Sequence, residues 1–361
     1  MFKFSRHIPR IFFKKGLPLN LIFFVTAKCN ARCRHCFFWR EINQSEAQLT
    51  LPEIERIAKS IPHLMALSLT GGEPFLRDDL AEIALMFSRF ASIVNLQIPT
   101  NGLLTEQIVQ TSRKILSKCR QDIRFTVAVS LDDLGEKHDA IRQVPGVCDK
   151  AIETIKRLKE LEKQFSNFSV SSCITINKDN QERVGELANF LKNDLKVEDI
   201  GVNLIRAEVK DMSLKEVNLK YYNNAHLKIR EDFFKRVNQQ PKPSIIDKIL
   251  SSREYFGSRL ISKIYSERRY TTPCYAGSLL AILRENGDVY PCEMLDLKMG
   301  NLSDFDFNLK ELWYSGPAEE ARRKIKKMKC FCTYECAMTL NTLFNPRHLF
   351  TILKNTLLSK N

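Results

Sequence analysis

The sequence predicts an α/β protein, a partial (β/α)6 barrel followed by a small, loop-rich domain. Three observations carry this reading. From Leu19 to about Ala207, six short apolar runs alternate with amphipathic helical patterns, as expected for parallel strands joined by helical crossovers. The chemically distinctive residues of that stretch fall where the runs end, which suits an incomplete relative of the eight-fold barrel. Beyond Ala207 the rhythm stops, and five cysteines gather between Cys274 and Cys336.

In chain order, residues 1–18 interleave Phe2, Phe4, Ile8, Ile11, Phe12 and Phe13 with Lys3, Arg6, Arg10, Lys14 and Lys15. The stretch Leu17 to Ala27 is broken by Pro18 and Asn20 and lacks a small-residue cleavage site. It therefore reads as a buried strand and not as a signal peptide. Within residues 19–207, strands are expected at Leu21–Thr26, Met65–Thr70, Ile93–Pro99, Arg124–Ser130, Phe168–Ile176 and Asp199–Ile205. Helices lie between them, most clearly where Ala151, Ile155, Leu158, Leu161 and Phe165 recur at helical spacing. Residues 208–270 read as a charged helical bridge, 271–340 as the cysteine-bearing domain, and 341–361 as an amphipathic tail. In that tail Leu349, Ile352, Leu353 and Leu357 share a face near Arg347, Lys354 and Lys360. Basic amphipathic ends of this kind either lie on an anionic bilayer or pack on the protein as ordinary helices. No apolar run reaches the length of a spanning helix.

The 11 cysteines are clustered, which favours metal binding in a reducing, cytoplasmic compartment over a disulfide framework. Cys119, Cys148 and Cys173 stand apart and read as small buried hydrophobes. Cys29, Cys33 and Cys36 put three soft ligands on one short loop, suited to a cubane iron–sulfur cluster or to zinc. The nearest fourth donor, His35, adjoins Cys36 and is expected to point away. Three thiolates leave one iron of a cubane open to a chelating ligand. The next strand ends are Gly71-Gly72-Glu73-Pro74, Thr100-Asn101-Gly102, and Ser130 with Asp132. Paired glycines allow close backbone approach, Glu73 can accept from an ammonium, and Arg142 offers a fork for a carboxylate.

These motifs, in this order, resemble the radical S-adenosylmethionine superfamily. Its signature is a CxxxCxxC loop with an aromatic residue after the last cysteine, here Phe37. The resemblance covers about Leu19 to Ile205. It implies a [4Fe-4S] cluster on Cys29, Cys33 and Cys36 that binds S-adenosyl-L-methionine. Gly71, Gly72, Glu73 and Pro74 match the motif that receives the methionine amino group, and Asn101 lies where relatives contact the ribose. Ser130, His138, Asp139 and Arg142 are similar to the peptide-modifying subgroup, in which the serine and arginine hold the methionine carboxylate. The implied chemistry is reductive cleavage to a 5′-deoxyadenosyl radical that abstracts hydrogen from a substrate carbon.

Cys274-x12-Gly287-x4-Cys292 looks like the opening of the SPASM and twitch extensions, which hold auxiliary clusters. Asn286-Gly287-Asp288 reads as a hairpin turn that brings Cys274 and Cys292 together. The continuation, Cys330-x-Cys332-x3-Cys336, departs from the full CxxCx5CxxxC run. At least one auxiliary cluster is expected, [4Fe-4S] in type, on Cys274, Cys292 and two of Cys330, Cys332 and Cys336. Two clusters, or a structural zinc, remain alternatives.

The outcome is oxidation, epimerisation, cross-linking or rearrangement, and no residue is singled out as general acid or base. The substrate is a peptide or protein, a small molecule, or a membrane-associated lipid or sugar precursor. Only about twenty residues precede the first strand, too few for a leader-binding domain. The formal net charge of +14 suits an anionic partner or a solvated surface. A non-catalytic or nucleic-acid-binding iron–sulfur protein is the contrary reading, but the cofactor-type loops argue against it and no nucleic acid is expected. A reducing donor such as flavodoxin or ferredoxin is implied, and the basic run Arg322, Arg323, Lys324, Lys326, Lys327 and Lys329 is a candidate dock.

Overall fold

The structure is a computed structural model and describes residues 8–13, 16–44, 47–238 and 245–358. Phe2, Lys3, Phe4, Arg6, Lys14, Lys15 and Lys360 of the basic ends lie outside them. Six parallel strands follow one another: β1 (Asn20–Thr26), β2 (His63–Gly71), β3 (Ser92–Thr100), β4 (Arg124–Ser130), β5 (Phe168–Ile176) and β6 (Asp199–Leu204). The crossovers carry α1 (Leu51–Ser60), α2 (Leu80–Phe90), α3 (Thr105–Lys118), the paired α4 (Glu136–Arg142) and α5 (Val147–Glu162), and α6 (Val184–Asn193). The sheet is open and curls into a partial barrel.

Local chemistry accounts for these elements. Thr50 and Glu53 form a reciprocal capping box that starts α1. In α5, Val147, Ala151, Thr154, Ile155, Leu158 and Leu161 are buried at helical spacing and face the sheet. Along the strands, the two-residue period separates a helix-facing core from the barrel interior. Val127, Val129, Ile174 and Ile176 join the main core. Their alternates Ser130, Cys173 and Thr175 are half-buried on the other face.

The bridge forms two helices, α7 (Leu219–Asn238) and α8 (Ile245–Glu267). His226 of α7 lies 2.9 Å from the Val202 carbonyl and covers edge strand β6. The expected hairpin is present as β7 (Leu280–Leu283) and β8 (Asp288–Tyr290), followed by β9 (Gly300–Asn301). It is not a detached unit. β7 pairs in parallel with β1, from Asn20↔Leu280 to Phe23↔Leu283, so one sheet of nine strands runs in the order β6-β5-β4-β3-β2-β1-β7-β8-β9. Leu21, Phe23 and Val25 of β1 belong to the main core, whereas Ile22 and Phe24 pack with Leu280, Ile282, Tyr334 and Phe344 in a second.

Four helices complete the chain: α9 (Leu309–Trp313), α10 (Gly316–Met328), α11 (Glu335–Leu343) and α12 (Pro346–Leu358). α12 packs on α8 with Ile352 fully buried, the packing alternative for the C-terminal tail. Among the described residues, no helix is long and apolar enough to cross a membrane.

Candidate active site

The three-cysteine loop leaves β1 and is held from both sides. Cys29 N–H donates to Asn43 Oδ1 at 2.9 Å, and Arg32 and Arg34 N–H donate to the carbonyls of Arg142 and Ile141 at the end of α4. Burial pushes the Cys29 and Cys36 thiols up to about 12, and the neighbouring thiols add to the shift. Binding a cluster therefore has to displace protons. As expected, His35 turns away from a shared metal, its Nε2 3.8 Å from Asp132 Oδ2.

The glycines of the second loop have a structural task. A Cβ on Gly71 would stand 2.1 Å from the Thr26 carbonyl oxygen, and one on Gly72 would stand 2.2 Å from that of Lys28. Here Gly72 and Glu73 N–H donate to those two carbonyls at 2.9 and 2.8 Å. The end of β2 is thus laced to the cysteine loop. Glu73, 1% exposed, accepts from Thr100 Oγ1 and Asn101 N–H at 2.8 Å each and from Phe75 N–H at 3.2 Å. Burial raises its carboxyl to about 7 despite these bonds. Asn101 Nδ2 donates to Asn30 Oδ1 at 2.7 Å, which ties β3 to the cysteine loop as well.

At β4 the structure commits Arg142 further than the sequence suggested. Its Nε donates to Asp132 Oδ2 at 2.8 Å, and NH1 lies 3.7 Å from Cys33 Sγ. Burial opposes the Asp132 charge, but Arg142, His35, His138 and the Thr175 N–H outweigh it and hold the carboxyl at about 2. Ser130 ends β4 half-buried. Sequence motifs therefore converge on one strand-end site, with most of the Arg142 fork taken by Asp132 and Cys33.

In the second group, Cys274, Cys292, Cys330 and Cys332 act on one another electrostatically. Burial raises all four thiols, Cys292 to about 11 and Cys332 to about 12. An amide two residues on donates to the sulfur at Cys29, Cys36, Cys274, Cys292 and Cys332, from Ala31, Phe38, Ala276, Met294 and Tyr334. Such donors stabilise thiolates and tune clusters. Among the described residues, no three His, Cys, Asp or Glu side chains close on a single ion. A cubane spreads its cysteines over separate irons, so both groups fit a cluster. Burial raises the Cys336 thiol to about 11, and Glu293, Arg206, Tyr334 and Glu335 act on it as well.

Sequence reasoning missed Arg206, just beyond β6. Its guanidinium stacks 5.4 Å from the Phe37 ring and 4.8 Å from the Tyr334 ring. It also pairs with Glu335 at 2.9 Å and Glu293 at 3.6 Å. Phe37 follows Cys36, Glu293 follows Cys292 and Tyr334 lies two beyond Cys332. The arginine therefore stands between the two cysteine groups. Cys173 is half-exposed on the interior face of β5, not a buried hydrophobe, and takes a hydrogen bond from Asn203 Nδ2 at 3.0 Å. A cavity of about 690 Å³ opens elsewhere, beside Ser169 and Asp199 at the opposite ends of β5 and β6.

This architecture is a partial barrel that bears two cysteine-rich groups, with Arg206 between them. Residues 23–191 match the Radical SAM superfamily, and residues 274–337 match an iron–sulfur cluster-binding domain, SPASM. The chain thus carries a radical SAM domain followed by a SPASM domain. Its cofactors are a [4Fe-4S] cluster with S-adenosylmethionine in the first domain and auxiliary iron–sulfur clusters in the second. The GTP 3′,8-cyclase of Aquifex aeolicus is 28% identical, covering 87% of this chain and 95% of that protein. The sporulation killing factor maturation protein SkfB of Bacillus subtilis is 24% identical, covering 88% and 69%. The chain spans about half the length of another relative, the pre-heme d1 synthase of Dinoroseobacter shibae, covering 47% of it at 26% identity. Among solved structures, Streptococcus suis SuiB bound to precursor peptide SuiA shares the fold at a TM-score of 0.60 and 18% identity, covering 93% of this chain and 76% of that one.

Proposed function

We propose that the protein modifies a peptide or protein substrate by hydrogen abstraction, in a chamber between the two cysteine groups. The observation that supports this is the placement of Arg206 between Phe37, beside the first group, and Tyr334, beside the second. When bound, the cluster and S-adenosylmethionine supply a 5′-deoxyadenosyl radical. Cys29, Cys33 and Cys36 hold the first cluster. Gly71, Gly72, Glu73 and Pro74 shape the site that receives the methionine amine, and Glu73 braces Asn101 at the ribose. Ser130 and the N–H groups that Arg142 has left would receive the carboxylate. Cys274, Cys292, Cys330 and Cys332 hold one auxiliary cluster, since these four act on one another. The peptide reading is supported by the likeness to SkfB and by the shared fold with a peptide-bound enzyme.

The exposed positions Arg323, Lys324, Lys326, Lys327 and Lys329 of α10 and its cap lead directly into Cys330. They offer a dock for an acidic one-electron donor of the flavodoxin or ferredoxin kind. A small-molecule substrate is the second reading, supported by the near full-length likeness to a GTP 3′,8-cyclase. The test is anaerobic turnover of the reduced, cluster-loaded protein. It should release methionine and 5′-deoxyadenosine, faster with peptides encoded beside its gene than with GTP. No cleavage would refute the enzyme reading, and stimulation by GTP alone would favour the second.

A further inference from the structure

Charge of one sign marks both ends of the sequence. No acidic residue precedes Glu41 and none follows Glu335, so lysine and arginine have both stretches to themselves. The fold brings parts of the two stretches to one place. The turn Ile8–Ile11 is fastened by Arg10, whose NH1 donates to the Leu17 carbonyl at 2.9 Å and NH2 to that of Ser278 at 3.2 Å. Ile11 packs against the second core. α12 is fastened by His348, whose Nε2 lies 2.9 Å from Thr272 Oγ1 and whose ring centre lies 5.2 Å from that of Phe256. Thr272 and Ser278 bound one short segment, the one that carries Cys274.

Each fastened element turns aromatic rings outward. Phe12 and Phe13 N–H both donate to the Pro9 carbonyl, at 3.1 and 2.9 Å, yet their side chains are 68% and 71% exposed. α12 buries Ile352 and Thr356 and leaves Phe350 71% exposed on its other side. Arg347 and Lys354, both exposed, flank Phe350 at helical spacing, and Leu353 adjoins it on the same face. A single exposed apolar residue is ordinary, but these are gathered. Of the ten large apolar side chains exposed among the described residues, only Met212 and Leu227 lie between β1 and the end of α8.

We infer that the protein binds an anionic lipid surface through Phe12, Phe13 and the outer face of α12. The inference goes beyond the proposed chemistry and stands whichever substrate is used. Rings that project from a surface need a partner into which they can sink, and a bilayer supplies one without a matching pocket. Its headgroup zone takes up the aromatic rings, and its negative potential attracts each neighbouring cation. One such feature holds a protein only weakly. Two of them, fastened to the same segment, act together.

Co-sedimentation of the anaerobic, cluster-loaded full chain with vesicles tests this. It is run without S-adenosylmethionine or reductant, so its outcome is separate from that of the radical reading. The protein should pellet with vesicles of equal parts phosphatidylglycerol and phosphatidylcholine but not with phosphatidylcholine alone, and added salt should release it. Phe350→Ser, and separately Phe12→Ser with Phe13→Ser, should each weaken binding about tenfold. Arg347→Glu with Lys354→Glu should weaken it at least as much. All these side chains are exposed, so iron and sulfide content should stay at the wild-type level in every variant. Failure of the wild type to pellet with the anionic vesicles would overturn the proposal. Undiminished binding by variants of wild-type iron content would do so too, as would equal binding to phosphatidylcholine alone. Self-association without vesicles that Phe350→Ser abolishes would assign the face to a second copy of the chain and overturn the lipid reading.

Discussion

Arg142 grips Asp132 with two nitrogens, Nε at 2.8 Å and NH2 at 2.7 Å, and turns its third to Cys33 Sγ at 3.7 Å. A carboxylate from one strand end thereby aims a cation at a thiol from another. Asp132→Asn leaves that buried guanidinium uncompensated, at a cost of roughly 3–5 kcal/mol, measurable by urea unfolding of the apoprotein. A double variant with Arg142→Met should lose less than Asp132→Asn alone.

The same pair sets an acid limit. Asp132 is held at about 2 in the fold, against an ordinary value of 3.8. Its contribution is complete above the ordinary value and is lost as pH falls through about 2, amounting to about 2 kcal/mol. Apoprotein stability should fall through that window in the wild type and more shallowly in Asp132→Asn.

Glu73 behaves in the opposite sense. Its carboxyl is raised from 4.5 to about 7, so its contribution is complete below 4.5 and is lost as pH rises through 7. Glu73→Gln takes one acceptor from Phe75, Thr100 and Asn101, costing about 1–3 kcal/mol at the acid end. The gap to wild type should narrow at higher pH, as stability curves of the apoproteins would reveal.

Gly71→Ala drives a Cβ into the Thr26 carbonyl at the end of β1, and Gly72→Ala drives one into the Lys28 carbonyl of the cysteine loop. Both should lose about four irons while the auxiliary site keeps its own, as read by iron and sulfide analysis. Wild-type content in either variant would show that the lacing is dispensable.

Replacing Lys326, Lys327 and Lys329 by Glu should raise KM for flavodoxin and flatten its salt dependence. Reduction by dithionite should continue at the wild-type rate. An unchanged KM would place the donor on another face.

Much of this was legible in sequence, for identifiable reasons. β4 and β5 match their expected limits because bulky apolar residues recur at every second position, Ser172 of β5 excepted. The cysteine loop, the paired glycines and the Asn286-Gly287 turn are local, and local chemistry survives in a string of letters. Arg206 was not legible, because its partners Phe37, Glu293, Tyr334 and Glu335 lie in three distant segments. One clue was present and unused: Leu280–Leu283 is apolar at every position and buried throughout, the mark of a strand covered on both faces.

That strand has a consequence for electron flow. Because β7 is hydrogen-bonded along β1, the hairpin that leads to Cys292 continues the sheet that leads to Cys29. Electrons passing between the two centres proposed here would cross one hydrogen-bonded sheet and not a joint between separate units.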